Sequence, residues 1–517
     1  MSFQAEEADG FNLPLLQSRS SSCCEPTIRN EIRKTRINKY ALAGAILAST
    51  NSVLLGYDIG VMSGAVLYIS EDLKINTTQV EVLVGCLNVC SLIGSLAAGK
   101  ISDNIGRRFT ILLAAATFLV GSLVMGFAPS FFFLLVGRFV SGIGVGYALM
   151  IAPLYASELS PAMNRGFLSS LPEVFINVGI LLGYISNEAL SCLPATINWR
   201  LMLGLAALPS LLVSVVVSLM PESPRWLVME GRIDEAKRVM IQTTDTLEEA
   251  ELRLDEMTRA ESDSGSSKGA WKELILGPSS PVRRMMIAAI GMNFFMQASG
   301  NDAVVYYSPQ VFKTAGINSK QQLLGITIIL GVAKTTFALV SALFMDRFGR
   351  RPLLLVGSAG MSLSLSLLGV GTMFLERWSN KPSWVISLCI IAICADLSFF
   401  SIGLGPITWV YSSEIFPTRL RAQGTSFAVS VNRLVSGAVA MSFLSLARLL
   451  SFSGVFFMFA GVMAAGTVFL FYCVPETRGL SLEEIMVLFD EDVDRKKRDK
   501  NVPCSSASNS DFSVFYK

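Results

Sequence analysis

Twelve apolar runs of about 20 residues, each long enough to cross the hydrocarbon core of a bilayer as a helix, dominate this chain. Six lie near 40–69, 80–100, 110–129, 131–154, 168–190 and 201–220, and six more near 284–312, 323–345, 353–375, 384–412, 423–448 and 454–474. A polar, charge-rich segment separates the two sets. With 52% hydrophobic and 16% charged residues over 517 positions, the composition is that of an all-α polytopic membrane protein.

Composition also removes several function classes. The net charge of +2 is carried by dispersed basic residues, so no nucleic-acid partner is indicated. Nine cysteines, two of them the neighbours Cys23 and Cys24, follow neither a disulfide framework nor a zinc spacing. Histidine is absent altogether. That eliminates the Ser-His-Asp triad, the Cys-His pair and histidine metal ligands together, and leaves any proton chemistry to carboxylates. No phosphate-binding G-x-x-x-x-G-K-[ST] loop occurs either. Neither an enzyme nor an ATP-driven pump is expected, and no metal or organic cofactor.

Lys and Arg in short connections fix orientation, because they are retained on the cytoplasmic side. Arg29, Arg33, Lys34, Arg36 and Lys39 precede the first run, Lys100, Arg107 and Arg108 follow the second, and Arg347, Arg350 and Arg351 follow the eighth. Both termini and the central segment are therefore expected in the cytoplasm. Residues 1–39 are polar and Ser-rich, lack a cleavable signal and read as a disordered arm. Asn76, in Asn76-Thr77-Thr78, falls in the first external loop as a glycosylation candidate.

The two halves repeat each other. "SDNIGRR" at 102–108 returns as "MDRFGRR" at 345–351, "YASELSP" at 155–161 as "YSSEIFP" at 411–417, and "PESPRW" at 221–226 as "PETRG" at 475–479. Three matches in one order indicate a duplicated six-span unit. In each cassette an acid (Asp103, Asp346) and two arginines (Arg107 and Arg108; Arg350 and Arg351) face further acids (Glu158 and Glu222; Glu414 and Glu476). Such a set can lock one conformation; alternatively it only sets topology and anchors helix ends. The same register aligns "GYDIGVM" with "GNDAVVYY", and so Asp58 with Asp302. A carboxylate inside an apolar span costs at least ~2.5–3.5 kcal/mol on insertion scales, which marks Asp58 as a residue kept for a task.

These motifs, with "GRFVSGIGVGY", "GPITWVYSSEIFPTRLRAQG" and "VPETRGLSLEEI", run in order through nearly the whole chain. The sequence resembles the sugar porter family of the major facilitator superfamily, most closely plant polyol and monosaccharide proton symporters. The resemblance implies twelve transmembrane helices in two pseudo-symmetric six-helix bundles, 40–220 and 283–474, with a cytoplasmic helical linker at 221–282 and a cytoplasmic tail at 475–517. It also implies a mid-membrane substrate site, a monomeric working unit and, as the family's commonest address, the plasma membrane.

Carried over residue by residue, the resemblance makes Asp58 the proton acceptor and Arg138, in "VGRFVSG", its partner. Gln297, Trp409 and Asn432 match substrate-contacting positions. Glu173 stands where relatives have glutamine, Met296 replaces another glutamine, and Asp302 and Lys334 replace asparagines. Two such charges at one depth suggest an intramembrane ion pair, the alternative being that Lys334 snorkels to an interface. Tyr306 and Tyr307 match outer-gate aromatics. Arg433 is expected to face Glu414 or the cytoplasmic vestibule, and Asp396 and Glu188 the outer face. The function implied is proton-coupled symport of polyols or monosaccharides by alternating access. A proton-independent facilitator is the alternative; a nutrient sensor fits less well, because under 40 residues follow Leu480.

Overall fold

The computed structural model describes residues 38–160, 164–244, 246–264, 271, 273–274, 278–317, 319–378, 382–478, 485 and 488–489. The expected N-terminal arm (but for Asn38 and Lys39) and most of the tail beyond residue 478 lie outside them. The described residues form one compact unit, and no strand occurs among them. Spans 1 to 5 are single helices: Lys39–Asp72, Thr77–Ile105, Arg107–Gly126, Phe131–Leu159 and Arg165–Leu190. Span 6 runs Ala195–Gly204 and Ala207–Val217, and span 7 runs Ser280–Ala298 and Asn301–Ala315. Spans 8 and 9 are Lys320–Phe348 and Arg350–Arg377, and span 10 runs Ser383–Ile402 and Leu404–Glu414. Spans 11 and 12 share one helical run, Arg421–Cys473, bent at Ser451. Among the described residues the spans number twelve, six on either side of the linker helices.

The breaks have local causes. Gly300 sits at φ +79°, a left-handed conformation that glycine adopts without steric cost, and it divides span 7. Gly403, at φ −107° and ψ −92°, divides span 10. Ser451 takes φ +69°, and the Glu376 carboxylate accepts from the N–H groups of Phe452 (3.0 Å) and Ser453 to start span 12. Asn76 caps span 2, accepting from Gln79 N–H at 2.8 Å while the Gln79 side chain answers at 2.9 Å.

Spans 1 and 5 approach closely through small residues. A Cβ on Gly56 would meet the Cα of Gly179 at 3.0 Å, and one on Gly183 would meet the N of Val61 at 2.6 Å. At about 100° per residue, the face two positions from Gly56 and Gly60 points away from span 5. Asp58 occupies that face and turns toward span 4. The two halves meet along span 2 against span 11, span 5 against span 8 and span 1 against span 7. Between spans 6 and 7, helices Pro224–Met229, Ile233–Thr243 and Leu247–Ser264 lie beside the end of the bundle, with Trp226 Nε1 donating to Asp103 O at 2.9 Å.

Candidate functional site

A narrow cavity of ≈ 20 Å³ lies between the halves, room for about one water molecule. Leu55, Ile59, Glu173, Met296, Gln297, Asn301, Asp302, Lys334, Trp409 and Arg433 line it. Span 7 breaks at Gly300, and Gln297 before the break and Asn301 and Asp302 after it all reach the wall.

One wall is joined across the halves by Glu173. Its Oε2 accepts from Trp409 Nε1 at 2.9 Å, and its Oε1 accepts from Asn177 Nδ2 at 3.2 Å. The other wall is a chain of amides and charges. Arg433 donates to Asn432 Oδ1 at 2.9 and 2.5 Å and to Asn88 Oδ1, in the first half, at 3.4 Å. Its Nη2 lies 3.8 Å from Asp302 Oδ2, which also accepts from Ser436 at 2.7 Å. With the Gln297 amide oriented to satisfy both neighbours, its NH2 donates to Asp302 at 2.9 Å and its oxygen accepts from Arg433 at 2.8 Å. Gln297 and Asn432 are 3.2 Å apart.

Behind the cavity, between the wall residues Leu55 and Ile59, Asp58 Oδ2 accepts from Arg138 Nη1 at 2.5 Å. Both side chains are buried, and Arg138 also contacts the sulfur of Met62. The pair expected from sequence is therefore formed.

Three expectations change. Asp302 and Lys334 do not form an ion pair: Asp302 turns to Arg433 and Ser436, while the Lys334 ammonium sits 5.0 Å from the centre of the Phe400 ring. Lys334 does not snorkel either, for it is 4% exposed and lines the cavity. Arg433 meets Asp302 rather than Glu414, whose partner is Arg350. Asp396 is not at an outer face: thirteen residues into span 10, at 1.5 Å per residue, it is about 20 Å from the helix start and fully enclosed. Glu188, two residues from the end of span 5, is at the face opposite the arginine cassettes.

Tyr306 and Tyr307 are both buried. Tyr307 donates to Ala440 O at 2.9 Å and stacks on Phe443, so it holds span 7 to span 11. The Tyr306 hydroxyl has no hydrogen-bond partner and lies within electrostatic reach of Asp58, Arg138, Asp302 and Arg433.

The cassettes at the basic face repeat partner for partner. Arg107 makes a two-pronged contact with Glu158 (3.1 and 3.1 Å) and donates to Asp103 at 3.0 Å. Arg350 donates to Glu414 at 3.3 Å and to Asp346 at 3.0 Å. Glu222 and Glu476 do not bind guanidinium groups directly; they cap spans 3 and 9, accepting from the N–H groups of Arg107 (2.9 Å) and Arg108, and of Arg350 and Arg351 (both 2.9 Å). Burial pushes the Glu222 carboxyl above the ordinary carboxylate range, and its backbone hydrogen bonds oppose that shift. Among the described residues the second arginine of each cassette binds no acid: Arg108 donates to Ser218 O and Arg351 to Phe471 O at 2.6 Å. These ion pairs stay within their own halves. The contacts that cross belong to the aspartates, whose free oxygens accept from Gln423 Nε2 (Asp103, 2.5 Å) and from Phe167 N–H (Asp346, 2.9 Å). At the opposite face Lys320 pairs with Glu71 at 2.7 Å, and Glu81 accepts from Ser445 N–H and Oγ, each at 2.7 Å. Both ends of the cavity are thus bridged.

The family model described as "Sugar (and other) transporter" matches residues 44–489. The chain belongs to this sugar transporter family. It is a multi-pass membrane transporter and not an enzyme. Polyol transporter 5 of Arabidopsis thaliana is 52% identical over 466 residues, covering 87% of this chain and 86% of the relative. Among solved structures, the major facilitator superfamily proton:xylose symporter XylE bound to 6-bromo-6-deoxy-D-glucose superposes with a TM-score of 0.79 at 26% identity, covering 88% of this chain and all of that one. The inward-open form of XylE from E. coli gives 0.67 at the same identity, with 87% of this chain and all of that one covered. This transporter is nearer the sugar-bound shape, in keeping with the crossing contacts at its basic face.

Four functional candidates escaped the sequence: Asn88, Asn177, Asn301 and Ser436. Their common signal is a polar side chain inside an apolar span, which serine, threonine and asparagine supply too often in membrane helices to single these out.

Proposed function

We propose that this transporter carries polyols and monosaccharides together with protons, by alternating exposure of the central cavity to the two membrane faces. The observation that carries the reading is the buried Asp58–Arg138 pair, behind the cavity wall and between its residues Leu55 and Ile59. Arg138 keeps its charge throughout, so Asp58 is the member that can gain and lose a proton. A protonated Asp58 relaxes its ionic hold on Arg138 and frees span 1 to move against span 4. Return of the ion pair is then tied to proton release on the other side.

Gln297, Asn432, Trp409, Glu173, Asp302 and Lys334 are the substrate-binding set, to which Arg433 is added. Amides, an indole and charges of both signs offer donors and acceptors to the adjacent hydroxyls of a polyol or sugar. Tyr306 and Tyr307 act in closure of the outer side. Residues 40–220 and 283–474 are the moving halves, linked by 221–282. Asp103 and Asp346 fasten them when the basic face is closed, while Arg107, Arg108, Glu158 and Glu222, with Arg350, Arg351, Glu414 and Glu476, keep each cassette rigid. The basic face is cytoplasmic by its Lys and Arg excess. The working unit is a monomer in the plasma membrane.

Uptake of labelled polyols and hexoses into proteoliposomes under an imposed pH gradient tests the reading. Accumulation above equilibrium is expected, and a collapse of the pH gradient should abolish it. Uptake that never exceeds equilibrium would instead mark a facilitator.

A further inference from the structure

Between the two polar faces, the described residues bury four carboxyl groups (Asp58, Glu173, Asp302 and Asp396) and three cations (Arg138, Lys334 and Arg433). If all seven were ionised, one negative charge would lie deep in the protein with no counter-ion, an arrangement that buried groups avoid by protonation. Hydrogen bonding shows where that proton is held most readily. Asp58 has Arg138, Asp302 has Ser436 and Arg433, and Glu173 has Trp409 and Asn177. Asp396, only 1% exposed, has nothing: both of its carboxyl oxygens are buried without a partner.

The surroundings of Asp396 point to one controlling group. Against its segment of span 10 pack spans 7, 8 and 9 and the second part of span 10. Span 8 brings Lys334, and span 7 brings Asp302. Span 9 has no charged residue between Arg351 and Glu376, and the rest of span 10 has only Tyr411 before Glu414. Lys334 is within electrostatic reach of Asp396, Glu173 and Asp302 but makes no hydrogen bond or ion pair with any of them. Its ammonium instead faces the cavity and the Phe400 ring. A flexible four-carbon stem lets that ammonium turn either way.

We propose that Asp396 is a second proton-carrying carboxyl, whose charge is set by Lys334, and that substrate in the cavity holds Lys334 away from it. With the ammonium hydrogen-bonded to substrate hydroxyls, Asp396 keeps its proton. When substrate leaves, the ammonium turns to Asp396, the O–H bond breaks, the proton passes to water in the open cavity and an Asp396–Lys334 ion pair forms. Charge is balanced in the substrate-bound state; in the substrate-free state one excess negative charge remains, and water in the open cavity, which Glu173 and Asp302 line, solvates it. The proposal rests on the reading of the chain as a proton-coupled transporter of hydroxylated solutes.

The test is an infrared difference spectrum, substrate-bound minus substrate-free, of the full-length protein in lipid. The probe is whichever of sorbitol, myo-inositol, xylose and glucose the proteoliposomes take up fastest. A positive band for a buried, protonated carboxyl is expected in the wild type and in Asp58→Asn. It should vanish in Asp396→Asn, shift in frequency in Asp396→Glu, and lose its dependence on substrate in Lys334→Met. A band unchanged in both Asp396 variants, or no band in a wild type that accumulates substrate, overturns the proposal. Should Asp396→Asn not fold, the frequency shift in Asp396→Glu decides alone. Gradient-driven uptake by the same wild-type samples keeps the two readings apart: its absence sinks proton coupling as a whole, whereas its presence with an Asp396-independent band sinks only the second carrier.

Discussion

The arginine cassettes at the basic face and the charged groups of the membrane core arise from the same duplicated unit, yet the first have stayed alike and the second have diverged. Arg107 and Arg350 each join an aspartate four residues back and a glutamate from the end of the next span, and Glu222 and Glu476 each cap the helix that begins with that arginine. In the core, Asp58 finds its arginine on span 4, while its repeat counterpart Asp302 finds one on span 11, at 3.8 rather than 2.5 Å and in contact with the cavity. Closing a face requires the same work from both halves. Coupling an ion to a solute requires different work, and under the proposed function the sheltered pair serves the proton and the open pair the solute.

Removal of the cassette arginines should have the largest effect, and the same effect in both halves. Arg107→Ala strands the buried Glu158, and Arg350→Ala strands Glu414; breaking a buried pair costs about 3–5 kcal/mol. Thermal unfolding in detergent should show two similar losses, and a large difference between them would break the symmetry argued here.

The core should respond unequally. Asp302→Asn removes a charged hydrogen bond to Ser436 and the attraction of Arg433, worth about 1.5–3 kcal/mol, and should raise the KM for substrate while gradient-driven accumulation persists. Loss of accumulation with an unchanged KM would reverse the assignment of the two pairs.

A smaller effect is expected at the paired glycines. Gly106 and Gly349 lie at φ +93° and +95°, where a Cβ would meet the carboxylates of Glu222 at 2.5 Å and Glu476 at 2.7 Å. Alanine at either should cost about 1–3 kcal/mol, again equally, by the same unfolding measurement. Smallest of all is Lys320→Ala at the opposite face, where the exposed pair with Glu71 contributes at most about 1 kcal/mol to stability.

The repeat explains what could be read from sequence and what could not. Twelve spans, the cassettes and the Asp58–Arg138 pair follow from apolar runs, ordered motifs and family resemblance. Partner choice inside the core does not, because it depends on rotation and depth of helices whose pattern is apolar nearly all round. From its sequence position Arg433 can be read as meeting Glu414 or facing the cytoplasmic vestibule, but Glu414 lies at the basic face, taken by Arg350, and Arg433 lines the cavity beside Asp302. Lys334 and Asp302 occupy positions that share one ligand in relatives, yet the backbone break at Gly300 and the reach of Arg433 turn Asp302 aside. The depth of Asp396 escaped because span 10, Ser383–Glu414, is longer than the bilayer requires, so distance from its first residue is a poor guide to distance from water.

The central claim is that the sheltered pair carries the proton. Asp58→Asn keeps the size of the side chain and a hydrogen-bonding oxygen for Arg138 but no longer titrates. In proteoliposomes it should still exchange labelled substrate across the membrane at equal concentrations while failing to concentrate it under an inward pH gradient. Gradient-driven accumulation that survives in Asp58→Asn would contradict the account.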